Sequence, residues 1–184
     1  MKKYSIFFML IALIGCLIQG CTSEDNKDLE YGIRDLPSIG GANPTSGLRK
    51  AICAKWLGWT YTVESDGSVE VNCSESLATL FDYRTRSTSV GTAFTNLATN
   101  NIDILIVEEP LPDSSDLDMK DYLNRYSNIA LKQKTIGYTS AGNAVIAFIR
   151  ESTPETTEAY KVYEYLSTAA GQAVLQQCGY SVSK

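Results

Sequence analysis

The chain has 184 residues, with 16 basic and 21 acidic side chains and a formal net charge of −5. This acidic balance argues against nucleic acid as a partner, because no basic stripe is available to contact phosphates and release counterions. Histidine is absent, which excludes Ser-His and Cys-His nucleophile pairs and imidazole metal ligands.

The first 20 residues have the pattern of a secretory signal peptide. An apolar run over residues 6–18, interrupted only by Gly15, follows two lysines and is too short for a comfortable membrane span. Cys21 comes directly after Leu-Ile-Gln-Gly and resembles a lipobox cysteine, so removal of residues 1–20 is expected to leave Cys21 acylated. An ordinary signal peptide with a chance cysteine is the alternative. Residues 21–35 then form a lipidated tether, which predicts an exported protein that is lipid-anchored to the bacterial cell envelope.

Residues 36–184 are predicted to form one domain of common size, large enough to bury a core without disulfides. Without residues 1–20 the chain keeps 14 basic against 21 acidic residues, a formal net charge of −7. Cys53, Cys73 and Cys178 have no C-x-x-C spacing, so no zinc site is expected. Two alternatives stay open: a Cys53–Cys73 disulfide with Cys178 as a buried thiol, or three buried thiols.

The domain is predicted to begin with a short extended piece, a turn at Gly40 and Gly41, and a helix from Thr45 or Ser46. Gly58 closes this helix. Its predicted stripe at helical spacing is Leu48, Ile52, Lys55 and Trp56, with Ala51 and Cys53 as small neighbours.

Three further elements follow before residue 100. Alternating residues on both sides of Asp66-Gly67 predict a β-hairpin. The segment SESLATLFDYR has apolar residues at helical spacing after a serine cap, which predicts a short helix. A second helix is expected to carry Phe94 and Leu97.

The remaining elements start with residues 104–107, an unbroken apolar run that is typical of a strand buried on both faces. MKDYLNRY predicts a small helix. IALKQKTIGY and NAVIAFIRE predict two strands joined by the turn TSAGN. A helix is expected to run from Pro154 to Leu166, and another to open near residues 169–171 and end before Gly179.

Hydroxyl-rich turns precede two of the predicted helices: ANPTSG and STSVGT. A helix that lies between strands in an α/β unit runs antiparallel to them, so its N-terminus lies near their carboxyl ends. Ligands of open α/β sheets usually bind at that edge. The residues expected to gather there are Thr45, Ser46, Thr88, Ser89 and Glu108.

Such a cluster has the chemistry of an oxyanion site. Helix N-termini and hydroxyls attract an anion, and Glu108 would accept a hydrogen bond from a ligand that still carries a proton. Arg84 and Arg86 lie just upstream and could add compensating charge. The alternative is that Ser and Thr only cap their own helices, and that Glu108 is a solvated strand end.

Four segments occur in order along the domain: GGANPTSGLRKAICAKWLG, STSVGTAFTNLATNNIDILIVEEPL, IGYTSAGNAVIAFIRE and YKVYEYLSTAAGQAVLQQCGYSVS. Together they resemble the substrate-binding proteins of phosphate ABC importers, in the periplasmic-binding-protein-like superfamily. In that family, helix N-termini, hydroxyls and an acidic acceptor hold the anion between two lobes. By position, the resemblance assigns Thr45 and Ser46 to the first loop, Thr88 and Ser89 to the second, and Glu108 to the usual aspartate.

The resemblance implies an α/β fold with a mixed, mostly parallel sheet flanked by helices. After NAVIAFIR the family continues into a second lobe, which supplies an arginine and a glycine-serine-rich loop, whereas this chain goes almost directly to its C-terminal helices. The segment RTRSTSVGTAF could be that loop, but NIDILIVEEPL after it favours the first lobe. A single-lobed periplasmic-binding-protein-like domain would leave an anion half solvated, so we expect weak binding, a partner that completes the cleft, or no ligand.

The predicted function is therefore a lipid-anchored solute-binding-type protein that recognises phosphate or a similar oxyanion, with a membrane permease or an envelope protein as partner. The alternative is a degenerate binding fold that serves as a protein-interaction or sensory module. An enzyme is not expected, because Glu108 and Glu109 are adjacent, no other catalytic carboxylate pair is evident, and no nucleotide loop occurs. No cofactor is expected.

Overall fold

The computed structural model describes residues 32–109 and 129–183. The chain divides into two units, Met1–Arg34 and Asp35–Lys184, and only residues 32–34 of the first are described. The predicted signal peptide, Cys21 and most of the tether lie outside the described residues, as does the helix predicted at MKDYLNRY. Within the described ranges, no helix is both long enough and apolar enough to cross a membrane.

The second unit is an α/β domain, as predicted, with a mixed four-stranded sheet, a separate hairpin and flanking helices. A 3-10 turn, Asn43–Thr45, leads into the first helix. The strands are β1 (Ile39–Gly41), β2 (Tyr61–Val63), β3 (Val69–Val71), β4 (Ile104–Glu108), β5 (Leu131–Tyr138) and β6 (Ala144–Arg150). The helices are α1 (Ser46–Trp56), α2 (Glu75–Arg84), α3 (Val90–Ala98), α4 (Glu158–Tyr165) and α5 (Ala169–Gln177).

The main sheet has the strand order β1-β4-β6-β5. β1 pairs parallel with β4, while β4 with β6 and β6 with β5 pair antiparallel. The parallel pair places the carboxyl ends of β1 and β4 at one edge, with Gly41 opposite Ile106. β2 and β3 form the hairpin predicted around Asp66-Gly67, and Gly67 has the positive φ of 82° that this turn requires.

The core of the sheet lies on β4, whose residues 104–107 are fully buried, as the apolar run predicts. On one face Leu105 and Val107 pack with α3, and Phe94 of α3 meets Phe148 of β6 edge to face, with ring centroids 5.3 Å apart. Because side chains alternate along a strand, Ile106 and Glu108 point to the other face. This alternation decides where Glu108 lies relative to α3.

Two boundary predictions are wrong. Gly40 and Gly41 belong to β1 rather than to a turn, because their missing side chains allow close packing. A Cβ on Gly41 would lie 2.2 Å from the Ile106 carbonyl oxygen. The helix predicted from Pro154 begins only at Glu158, since Thr157 is the cap whose side chain accepts a hydrogen bond from the Tyr160 N–H.

We predict that Phe148→Ala lowers the free energy of unfolding by about 3–5 kcal/mol, because it leaves a cavity between α3 and the sheet. Urea denaturation followed by circular dichroism measures the change. Tyr83→Ala is the matched control, since Tyr83 is 57% exposed and its removal is expected to cost less than about 1 kcal/mol. Equal losses for the two variants would contradict the described core.

Candidate functional site

The carboxyl ends of β1 and β4 form an edge at which two loops meet. Gly41 pairs with Ile106 on one side and forms a parallel bridge with Ser87 on the other. The Thr88 N–H donates a 3.0 Å hydrogen bond to the Gly41 carbonyl. We call the edge made by residues 41–46, 86–89 and 106–108 the rim.

Thr45 lies at the rim but does not reach solvent. Its side chain is fully buried, and its hydroxyl donates to the Ile106 carbonyl at 2.9 Å. This bond ties the first loop to β4. The structure therefore gives Thr45 the geometry of a residue that positions the loop.

Ser46 is half-buried and faces a different space from the α3 N-terminus. It lines a pocket of about 360 Å³ together with Lys50, the Asp66-Gly67 turn and Tyr180. Lys50 is already paired with Asp82 at 2.8 Å. Ser46 thus begins α1 beside the hairpin, on the side of the rim that Tyr180 occupies.

Thr88 and Ser89 lie at the start of α3. The Ser89 hydroxyl oxygen accepts a 3.2 Å hydrogen bond from the Thr92 N–H and lies 2.9 Å from the Thr92 hydroxyl. Ser89 is therefore the N-cap of α3, which is the alternative role weighed for it from the sequence. Thr88 is half-buried, and its hydroxyl lies 3.2 Å from the Ser89 carbonyl, to which it donates.

Glu108 ends β4 and is bound by the C-terminal segment. The Tyr180 hydroxyl lies 2.9 Å from Glu108 Oε1 and 3.3 Å from the Pro44 carbonyl, so one phenol links β4 to the first loop. Burial, and then the nearby Glu108 carboxylate, raise the pKa of Tyr180 well above its ordinary value. The phenol therefore stays protonated and able to donate at neutral pH.

The five predicted site residues share one edge of the sheet without forming one cluster. Thr45 and Thr88 are joined to each other through the backbone of β1 and β4, and Glu108 is joined to the first loop through Tyr180. Ser89 begins α3, which packs on the face that Leu105 and Val107 occupy, whereas Glu108 points to the opposite face.

Arg49 of α1 contacts residues of the rim, and this role was not predicted from the sequence. It is fully buried and lies at the point where the two loops meet. One terminal nitrogen donates to the Ala42 carbonyl at 2.7 Å and to the Thr45 hydroxyl. The other donates to the Ser87 hydroxyl at 2.6 Å and lies 3.5 Å from the Arg86 carbonyl.

The charge of Arg49 has no acidic partner in the described part of the chain, and its buried Nε has no hydrogen-bond acceptor there. Burial lowers the pKa of Arg49 to about 10, because desolvation disfavours the charged form. The guanidinium is still protonated at neutral pH. A buried positive charge therefore lies against the rim, and its contacts within residues 32–109 and 129–183 are neutral oxygens.

A sequence signal for Arg49 exists. Arg49 follows Thr45 by four positions and precedes Ile52 by three, so helical periodicity puts it on the buried face of α1. A charged residue at such a position needs a specific polar partner. Ser87 lies in the same hydroxyl-rich stretch as Thr88 and Ser89. The sequence does not show that its hydroxyl accepts a hydrogen bond, because this depends on the position of Arg49 in the fold.

The expectation that Arg86 supplies charge to the rim is wrong. One terminal nitrogen of Arg86 donates to the Asn101 carbonyl at 3.0 Å, and the guanidinium lies 5.1 Å from the centre of the Tyr83 ring. Asn101 comes after the C-terminal end of α3. Arg86 therefore points away from the N-terminus of that helix, and Arg49 takes the central position.

The three cysteines of the domain are free thiols, so the structure has no Cys53–Cys73 disulfide. Cys53 is fully buried, as expected, whereas Cys73 and Cys178 are only half-buried. In the described ranges, no group of three or more acidic, cysteine or histidine side chains could hold a metal ion. Comparison of the chain with protein-family models, curated proteins and solved structures finds no match.

We predict that Cys53 resists alkylation by iodoacetamide at pH 8 in the folded protein and reacts fully in urea. Burial raises its pKa to about 12, so almost no thiolate exists at pH 8, and the closed core excludes the reagent. Cys73 serves as the internal control, since it is half-exposed and should react first. Mass spectrometry of the peptides reads both, and a pair of thiols that requires reduction before labelling would contradict the free-thiol assignment.

Proposed function

We propose that this chain is an exported, lipid-anchored solute-binding-type protein whose rim recognises phosphate or a similar oxyanion. The observation that supports this most is the Thr88 N–H bond to the Gly41 carbonyl, which brings two hydroxyl-bearing loops to one sheet edge. The proposal includes neither catalysis nor a cofactor. Nucleic acid is not a proposed partner, since the chain is acidic.

The anion-binding groups of this proposal lie in the second loop and at the start of α3. Ser87 and Ser89 are exposed and Thr88 is half-buried, so a ligand above the edge can reach them. To donate to that ligand, the Thr88 hydroxyl would leave the Ser89 carbonyl and the Ser89 hydroxyl would leave Thr92. The positive end of the α3 dipole adds attraction within its first turn. Thr45 holds the first loop against β4 in this arrangement and does not contact the ligand.

Glu108 is the proposed acceptor, and it lies at the same sheet edge as the second-loop hydroxyls but on the other face of β4. One of its oxygens is bound by Tyr180, and the other has no protein donor in the part of the chain that the structure describes. That oxygen can accept a hydrogen bond from an oxyanion that still carries a proton. A carboxylate would repel a ligand that lacks one.

We propose weak binding, because a rim on one lobe leaves the ligand half in water. Hydrogen bonds exchanged with water contribute only about 0.5–1.5 kcal/mol each, so a few of them give dissociation constants on the order of millimolar. A membrane permease or another envelope protein that covers the rim would exclude water and raise the affinity. Such a partner belongs to the proposal.

We predict that inorganic phosphate releases measurable heat on titration into the protein and that Thr88→Val weakens binding about fivefold by removing one hydroxyl. Isothermal titration calorimetry at millimolar phosphate measures both. Thr62→Val is the matched control, because Thr62 is exposed on the hairpin. A flat titration with the unmodified protein would overturn the oxyanion proposal.

We also predict that Cys21→Ser abolishes incorporation of labelled palmitate and moves the protein from the membrane fraction to the soluble fraction. The reason is that the acylated residue of a lipoprotein is the cysteine after the signal peptide. Cys16→Ser is the control, since Cys16 lies within the predicted signal and should have no effect. Palmitate labelling that persists in Cys21→Ser would show that the anchor is elsewhere.

A second candidate function is a protein-interaction or sensory module of the cell envelope. One observation favours it: the side chains of Thr45, Ser89 and Glu108 are already hydrogen-bonded within the protein. A rim that satisfies its own polar groups needs no ligand to do so. This candidate predicts flat phosphate titrations and capture of a partner that rim variants lose.

A further inference from the structure

We propose that Arg49 is a positioning residue that makes the rim selective for anions by orienting the Ser87 hydroxyl. This inference rests on the proposed oxyanion function and names a residue pair that controls its specificity. Arg49 cannot touch a ligand itself, because its side chain is fully buried. Its influence therefore has to pass through a group that it contacts and that solvent reaches.

Ser87 is that group. It is exposed, and its hydroxyl oxygen accepts a 2.6 Å hydrogen bond from Arg49 Nη2. The other contacts of the guanidinium, to Ala42 and Thr45, are with buried residues, and the remaining one is a 3.5 Å approach to a backbone carbonyl. Ser87 is thus the exposed side chain to which the buried charge is connected.

The contact decides what the Ser87 hydroxyl offers to a ligand. A serine hydroxyl has one proton and two acceptor lone pairs, and the guanidinium has donors only. With Arg49 on the inner side, the proton of Ser87 is turned outward. No acceptor for that proton lies in the described part of the chain, so it is available to a bound oxygen atom.

The same contact strengthens that donor. A hydroxyl that accepts a hydrogen bond from a cation becomes polarised and donates more strongly to its next partner. A ligand oxygen that carries a negative charge and no proton gains most from such a donor. Ser87 therefore favours oxyanions over neutral sugars or alcohols, whose oxygens are weaker acceptors.

The position of Arg49 depends on Gly41. A Cβ at Gly41 would lie 2.6 Å from Arg49 Nη1 and 2.9 Å from the Thr45 hydroxyl, so only glycine leaves room for the guanidinium beside β1. The charge is buried without an acidic partner in the described residues, which is unfavourable in the ligand-free protein. An anion beside Ser87 would offset part of this cost.

A double-mutant cycle with inorganic phosphate as the probe tests the pair. Binding is measured by calorimetry for the full-length protein and for Arg49→Met, Ser87→Ala and the double variant. We expect Ser87→Ala to weaken binding about tenfold. We expect Arg49→Met to weaken it at least about threefold more with Ser87 present than in the Ser87→Ala background.

The matched control is Ser76→Ala, which removes the hydroxyl of an exposed serine in α2, away from the rim. This change should leave the affinity for phosphate unaltered. A merely structural role of Arg49 would weaken binding equally in both backgrounds, and that result would overturn the inference. Urea denaturation of each variant separates loss of fold from loss of affinity. If Arg49→Met does not fold, the same cycle with Arg49→Gln, which removes the charge but keeps a polar side chain, replaces it and is expected to show coupling of the same sign.

The result also separates this inference from the function on which it rests. Phosphate binding without coupling between Arg49 and Ser87 would overturn the inference and leave the oxyanion function standing. No phosphate binding by the unmodified protein would overturn both. Coupling of the expected sign would support both.

Discussion

The buried guanidinium of Arg49 is the interaction on which the rim depends. It bonds to the end of β1 through the Ala42 carbonyl, to the start of α1 through Thr45, and to the second loop through Ser87. A buried charge is tolerated only when oxygens surround it, so the three segments are held at fixed distances around one side chain. The two loops are therefore held together at Gly41 both by the backbone bond from Thr88 and by the contacts of Arg49.

This requirement explains why the predicted ligand side chains are arranged as they are. The Thr45 hydroxyl oxygen accepts a hydrogen bond from Arg49, and the hydroxyl donates a hydrogen bond to the Ile106 carbonyl. The Thr45 hydroxyl therefore joins the start of α1 to β4 and has no proton free for a ligand. Ser87 lies at the exposed outer end of the same network, and its hydroxyl proton has no acceptor in the described residues. The same network thus contains the Thr45 hydroxyl, which has a structural role, and the Ser87 hydroxyl, which solvent can reach. Both residues belong to hydroxyl-rich turns in the sequence.

Local patterns predicted most of the elements, because hairpin turns, caps and buried strands depend on neighbouring residues. The Asp66-Gly67 hairpin, the serine cap of α3 and the buried run of β4 all follow from spacing and side-chain type. The rim was predicted only in part, since the edge at which the loops meet follows from topology. Helical spacing alone puts Arg49 on the buried face of α1, but its role at the rim was not predicted because Ser87, the partner that defines it, lies 38 positions away in the chain.

The Tyr180 phenol fixes the positions of Glu108 and of the first loop on the other side of the rim. It is bound to Glu108 and to the Pro44 carbonyl, and the next residue, Ser181, pairs with Tyr138 at the edge of β5 through hydrogen bonds of 2.7 and 2.8 Å. The C-terminal segment is therefore fixed at both the sheet edge and the first loop. Side-chain alternation along β4 puts Glu108 on the face opposite α3, and Tyr180 binds its carboxylate there. The rim consequently has the Arg49-bound Ser87 hydroxyl at the second loop and the Tyr180-bound Glu108 carboxylate on the other face of β4, and the proposed oxyanion site depends on this asymmetry.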